Sequence, residues 1–279
     1  MKTKLFILTL LISGSIFAQD FYGKATYKTH RKSSIKLDST TIAQNPGIED
    51  QLKAKMAKMF QKTFILNFDK TQSTYKEDAK LDAPTVGPGG NGQVMVMSIG
   101  GGGGNDIYYK NIKENRIAEK ADMMGKTFLI KDEIPSFEWE MSGETKNIGQ
   151  YTCYKATYTR EVENISMTTS DEGNPEEKVN TEMRTTTVWY SPSIPVSNGP
   201  RQYGGLPGLI LEVNDGNQTI VCTEIVLNPD DKPKIVEPEK GKVVNREKFD
   251  QISREKTKEM MENFQGRGNR GGMQIRIGG

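Results

Sequence analysis

The sequence predicts an α+β fold that is mostly β: a single curved antiparallel sheet, with one helix after the first strand and a C-terminal helix. Three observations predict it. Short segments with apolar residues at every second position recur along most of the chain. Turn sequences set them off from one another, as in an antiparallel meander. Only two segments, ahead of Phe60 and after Arg246, carry apolar residues at helical spacing.

Residues 1–18 read as a signal peptide. Lys2 and Lys4 form its positive end, residues 5–12 its apolar core, and Ile16-Phe17-Ala18 a cleavage site before Gln19. The apolar run is too short to span a bilayer, and no later run approaches the ~20 residues required. No cysteine follows the cleavage point, so no lipid anchor is expected. The mature chain is therefore expected to be exported, periplasmic or secreted, and not a lipoprotein. The full sequence has 38 Lys and Arg against 36 Asp and Glu, and losing Lys2 and Lys4 leaves 36 of each. A neutral chain has no field to steer nucleic acid or an anionic membrane.

Residues 19–245 read as one β-rich domain, beginning with a strand at 21–28. Asn45-Pro46 then opens a helix as its N-cap and first residue. Leu52, Met56, Met59 and Phe60 form the apolar stripe of that helix, opposite Lys53, Lys55, Lys58 and Lys62. Residues 64–68 and 73–76 pair as a hairpin about Asp69-Lys70-Thr71. Glycines break the pattern at about 84–104, a mobile loop or weakly paired insert. Strand signals resume at 107–110, 116–121, 126–131, 137–141, 151–160, 181–190, 209–213 and 219–227. Asp171-Glu172-Gly173-Asn174-Pro175 is the loop between two Thr-rich strands. Residues 246–265 form the C-terminal helix, with Phe249, Ile252, Met260 and Phe264 apolar. Residues 266–279 are a Gly/Arg-rich tail in which 273–277 alternates like one short strand.

No catalytic constellation is legible. The one histidine, His30, lies in the polar run Thr29-His30-Arg31-Lys32 and reads as a solvated loop residue. Gly-x-Ser-x-Gly, His-Glu-x-x-His and Cys-x-x-Cys spacings do not occur. Carboxylate pairs such as Asp132/Glu133 and Glu138/Glu140 are expected by chance among 36 acids. Met95/Met97, Met123/Met124 and Met260/Met261 offer thioethers but not the imidazoles or loop clustering of a copper site, so neither metal nor cofactor is expected. The glycine runs lack the Gly-Lys-Ser/Thr of a phosphate loop, and the Arg-Gly tail reads as a tether.

Cys153 and Cys222 are an even pair in an exported chain, which favours one disulfide. It would close roughly 70 residues and contribute about 4 kcal/mol. The alternative is two buried free thiols on separate strands. Trp139 lies in Phe137-Glu138-Trp139-Glu140-Met141, with carboxylates outward and aromatic bulk inward, and Trp189-Tyr190 ends a strand. These aromatics read first as core packing. The functional alternative makes Trp139, Trp189 and Tyr190 the lining of a concave site for a lipid or peptide.

The run Gly204-Gly205-Leu206-Pro207-Gly208-Leu209-Ile210-Leu211 is a turn loaded directly onto a buried strand. Its glycines permit positive φ or close backbone approach, and Pro207 fixes its own φ and extends Leu206. Asn214-Asp215-Gly216-Asn217 closes the strand. The hexad from Gly205 to Ile210 resembles the signature of the GLPGLI family of secreted Bacteroidetes proteins, whose activity is unestablished. Trp139, Glu144-Thr145-Lys146-Asn147-Ile148-Gly149 and Tyr151-x-Cys153-x-Lys155-Ala156 are similar to the family's second block. Val188-Trp189-Tyr190, Ile194-Pro195, Asn198-Gly199-Pro200 and the hexad are similar to its third. The resemblance covers about residues 137–225. Gln150 stands where a second glycine is usual, which predicts a turn built differently.

A curved sheet with helices on its concave side is further similar to the half-barrel of LolA/LolB-like lipoprotein carriers. The family resemblance also implies a setting beside outer-membrane, TonB-dependent transporters. The expected function is a non-enzymatic envelope protein that holds a hydrophobic or peptide ligand, or docks onto such a transporter. A competing reading is an interaction module whose residues 273–277 add as a strand to a partner's sheet, tethered by 266–272. A hydrolase using carboxylates or Cys153 is the minor one. A sheet face already filled by the protein's own side chains would exclude an enclosed ligand.

Overall fold

The structure, a computed structural model, describes residues 21–31, 61–78, 106–169 and 175–265. The predicted leader, the helix ahead of Phe60, the insert at 84–104 and the tail at 266–279 lie outside them. The described chain forms β1 (Tyr22–Arg31), β2 (Thr63–Asp69), β3 (Gln72–Glu77), β4 (Ile107–Asn111), β5 (Arg116–Met123) and β6 (Lys126–Glu133). There follow β7 (Glu140–Ile148), β8 (Tyr151–Thr169), β9 (Pro175–Ser191), β10 (Leu209–Asn214), β11 (Gln218–Leu227), β12 (Lys242–Val244) and one helix, α1 (Arg246–Gln265).

All twelve strands belong to one sheet, ordered β12-β6-β5-β4-β3-β2-β1-β11-β10-β9-β8-β7. Two meanders, β1 to β6 and β7 to β11, join where β11 pairs with β1. The sheet is mixed rather than wholly antiparallel. β12 returns to the far edge and runs parallel to β6, with Val243 opposite Leu129. It has no counterpart among the predicted strands, because three residues are too few for alternation to register. Among the described residues β12 and β7 are the edges of the sheet, which is not closed into a barrel.

Local chemistry fixes the turns. Asp69 Oδ1 accepts from the N–H groups of Thr71 (2.7 Å) and Gln72 (2.8 Å), and Asp215 Oδ1 from that of Gln218 (2.7 Å). Between β7 and β8 only Gly149 takes a positive φ, 58°, so Gln150 needs no glycine. β7 starts at Glu140, after Phe137 and Trp139, and bulges between Met141 and Thr145. His30 is exposed within β1, opposite Thr219, and not in a loop. β8 and β9 run past their predicted limits, because neither glycine nor proline occurs in residues 151–169 or 176–191.

The sheet curls. Asn198 O accepts from Ile210 N–H at the start of β10 (2.9 Å), and the next carbonyl, Gly199 O, accepts from Lys110 Nζ on β4 (2.9 Å). Between β4 and β10 stand β3, β2, β1 and β11, a span of about 24 Å in a flat sheet. Two adjacent residues bridge it only across a concave face. Tyr27, Leu66, Phe68, Tyr75, Tyr108 and Val188 are buried in one core, into which segment 192–208 inserts Ile194, Val196 and Leu206. Each such side chain contributes about 1.5–3 kcal/mol. α1 is capped by Asn245, whose Oδ1 accepts from Lys248 N–H (2.9 Å), and packs Phe249 against Phe128 and Ile130.

The disulfide expected between Cys153 and Cys222 is not formed. Both are buried free thiols, one on β8 and one on β11, with β9 and β10 between them. Adjacent strands are about 4.8 Å apart, whereas a bridge requires Cα atoms within about 7 Å. Each thiol donates to a carbonyl of its own strand, Tyr151 O at 3.5 Å and Glu224 O at 3.4 Å. Burial pushes the Cys153 thiol up to about 11 and that of Cys222 up to about 12. Denatured protein should therefore titrate both thiols equally with and without reductant. Thiols that appear only after reduction would show a bridge instead.

Candidate functional site

Segment 192–208, between β9 and β10, is the feature around which the concave face is organised. Its closing run is a backbone clasp. Gly208 N–H donates to Leu206 O around Pro207 (2.8 Å), Leu209 N–H to Ile194 O (3.0 Å) and Ile210 N–H to Asn198 O (2.9 Å). The loop is thereby folded back on the strand it feeds. Leu206, Leu209 and Ile210 are buried, and Tyr27 donates its hydroxyl to Ile210 O at 2.8 Å. Gly208 admits no side chain, since a Cβ would stand 2.3 Å from Ser191 O. Gly205 takes a φ of 84°.

Polar groups on β3, β4 and β5 hold the other side of the segment. Lys110 is buried, and its Nζ donates to Gly199 O (2.9 Å) and Tyr203 O (2.7 Å). Burial pushes its amine down to about 7. Ser73 Oγ lies 3.4 Å from Asn198 Oδ1. The Glu119 carboxylate, with its side chain 3% exposed, accepts from Arg201 Nη2 at 2.9 Å and from Arg246 Nη2. One carboxylate on β5 thus fastens both the loop and the first residue of α1. Asp106 and Asp250 lie near this cluster, and burial raises both carboxyls from their ordinary value. Among the described residues, no three His, Cys, Asp or Glu side chains group as metal ligands.

At its outer end the segment supports an aromatic platform. Trp139 Nε1 donates to Gly204 O at 2.9 Å, which fixes the indole on the motif loop. Phe137 stacks on Trp139 (5.1 Å) and on Tyr203 (5.6 Å), and Tyr158 meets Phe137 edge-on at 5.4 Å. Tyr203 is buried, while Phe137, Trp139 and Tyr158 are half-buried and so keep one side open. Burial pushes the Tyr203 phenol up to about 12. The platform offers apolar stacking. Elsewhere, an open depression of about 230 Å³ lies at the β2–β3 turn, lined by Phe21, Tyr22, Asp69 and Lys232 among others.

Of the three aromatics marked in the sequence, Trp139 alone reaches the platform. Trp189 lies on the opposite side of β9 from Val188 and Tyr190, because neighbours in a strand alternate. There it sits under Lys146 Nζ, 4.4 Å from the ring centroid, and Lys146 pairs with Glu212 at 2.8 Å. Tyr190 is buried and donates to Met141 Sδ (3.4 Å). Tyr158 was legible in principle, since it continues the inward alternation of Ala156 along β8. Tyr203 carries no local signal, as only the fold of the loop brings it to Phe137.

Residues 139–212 match the family model Porph_ging, described as a protein of unknown function. The matched span opens on Trp139 and closes on Glu212, so it holds Tyr158, Tyr203 and all of segment 192–208. The match carries the Porph_ging name, not the GLPGLI name the hexad suggests. No curated protein matches the chain. Among solved structures, the chain is similar to PNGF-II in a C2 and a P21 crystal form. Identity is 13% and 14%, and the TM-scores are 0.45 and 0.44. Each match covers 84% of this chain but 32% and 33% of the other. The chain thus spans about a third of the length of those structures.

Proposed function

We propose that this is an exported, non-enzymatic envelope protein that binds an apolar or aromatic segment of a partner polypeptide on the platform of Phe137, Trp139 and Tyr158. The setting is an outer-membrane transport system, as the GLPGLI-type hexad implies. The observation that supports this reading is the contrast between a filled concave face and an open platform. Ile194, Val196 and Leu206 occupy the space an enclosed ligand would take, whereas three rigid aromatic rings stay half-exposed beside the Porph_ging-matched loop. Such rings lose little conformational freedom on binding and make good anchor sites.

The two tryptophans make the reading testable, because Trp189→Phe leaves Trp139 as the only indole. Peptides selected from a displayed random library should shift Trp139 emission saturably. Their affinity should fall about tenfold or more in Tyr158→Ala, the loss of roughly 1.4 kcal/mol of contact. Peptides that leave the emission unchanged, or bind Tyr158→Ala as tightly, would overturn it.

A further inference from the structure

Two buried side chains beneath the motif loop stand in an unusual relation. Asn198 is fully buried, and among the described residues its Nδ2 has no hydrogen-bond partner. Its Oδ1, in contrast, accepts from Gly199 N–H at 2.8 Å and lies 3.4 Å from Ser73 Oγ. Lys110, 2% exposed, donates from Nζ to the carbonyl of Gly199, the residue covalently next to Asn198. Ser73 and Lys110 are direct partners across β3 and β4. Amine and hydroxyl thus come from paired residues and reach two consecutive residues of the loop, the amine at the Gly199 carbonyl and the hydroxyl at the Asn198 amide oxygen.

A buried amide nitrogen without an acceptor costs free energy, and native proteins rarely retain one without cause. Here the orphaned nitrogen belongs to a carboxamide whose oxygen is polarised by two donors and whose neighbour holds a buried amine. These are the groups an acyl transfer uses: a nucleophile, donors to the oxygen that takes up charge, and an unbonded leaving group.

We propose that Lys110 and Asn198 become joined by an intramolecular isopeptide bond once the chain has folded. The neutral Nζ attacks Asn198 Cγ, and Gly199 N–H and the Ser73 hydroxyl stabilise the charge that develops on Oδ1. The Nζ–Cγ bond forms, the Cγ–Nδ2 bond breaks, one proton passes from Nζ to Nδ2, and ammonia leaves. A primary amine and a primary amide become one secondary amide and ammonia, so no oxidant, metal or further reactant is required. Burial, which pushes the Lys110 amine down to about 7, supplies the unprotonated nucleophile at ordinary pH. Folding supplies the proximity that makes the attack intramolecular. The product has no Nδ2 left to satisfy. It ties β4 covalently to segment 192–208, and the bond forms whether or not the aromatic platform binds a partner.

Mass spectrometry of the full chain, purified and held at mildly alkaline pH, tests this without any variant. The intact mass should fall short of that of the same polypeptide by one ammonia. A protease digest should contain a branched peptide joining the segments of Lys110 and Asn198. Lys110→Arg should yield only linear peptides at full mass. An unmodified wild-type mass overturns the proposal. So does an ammonia loss confined to a linear peptide, which is the succinimide of Asn198-Gly199, or one that persists in Lys110→Arg. If that variant fails to fold, the branched peptide of the wild type decides alone.

Discussion

Gly208→Ala is expected to prevent the chain from reaching its native state. The added Cβ would meet Ser191 O at 2.3 Å, Ser191 C at 2.5 Å and Pro192 N at 2.8 Å. All three are backbone atoms, so no rotamer change relieves the clash. Either the end of β9 or the start of β10 must move. That junction carries the Leu209–Ser191 register pair and the Leu209 N–H to Ile194 O bond, so a shift there opens the clasp. Overpacking in a well-packed core costs about 1–3 kcal/mol where side chains absorb the strain, and a backbone clash stands at or above that range. With total stabilities near 5–15 kcal/mol, a loss of more than about 3 kcal/mol leaves little native protein. Gly205→Ala is the control. Its Cβ has room, 3.7 Å from Trp139 Nε1, but its φ of 84° suits glycine, so the expected cost is about 1–2 kcal/mol. Urea midpoints should rank wild type, then Gly205→Ala, then Gly208→Ala. A Gly208→Ala protein as stable as wild type would show that the two chain segments do not approach as described.

What was legible in the sequence is what local chemistry determines. The turn aspartates Asp69 and Asp215 act within three residues, and inward alternation placed Phe64 to Phe68 and the strand after Gly208. The concave face was not legible, because its anchors act across the chain. Lys110 follows Tyr108 and Tyr109 in a strand, where a lysine ordinarily reads as solvent-facing. Its acceptors lie 89 and 93 residues away. The hexad was readable as turn plus strand, yet its role as a clasp depends on Ser191 passing directly over Gly208. Trp189 and Tyr190 are neighbours in the sequence, and adjacency in a strand sends their side chains to opposite faces, so both cannot line one site. The even cysteine count was a statement about compartment. It carried no information about how many strands would come between the two thiols.

Glu119→Gln is the second large effect expected, and it separates anchoring of the loop from anchoring of the helix. Glu119 has a buried carboxylate that accepts from Arg201, 82 residues on, and from Arg246, 127 residues on. Glutamine keeps the shape but leaves no negative charge between two guanidiniums, and it turns an NH₂ group towards a cation. Breaking a buried ion pair by removing one partner costs about 3–5 kcal/mol. The Arg201 and Arg246 side chains are 40% and 34% exposed, so water takes up part of the released charge. An expected loss of about 2 kcal/mol follows, read as a lower urea midpoint. Trp139 then distinguishes the two arms. Arg201 lies in the segment whose Gly204 carbonyl holds the Trp139 indole, whereas Arg246 opens α1. In a Trp189→Phe background, Glu119→Gln and Arg201→Ala should both shift Trp139 emission under native conditions. Arg246→Ala should lower stability while leaving the emission in place. A Trp139 signal that responds to Arg246→Ala as strongly as to Arg201→Ala would mean that loop and helix are held as one unit, and that the platform depends on the helix end as much as on its own loop.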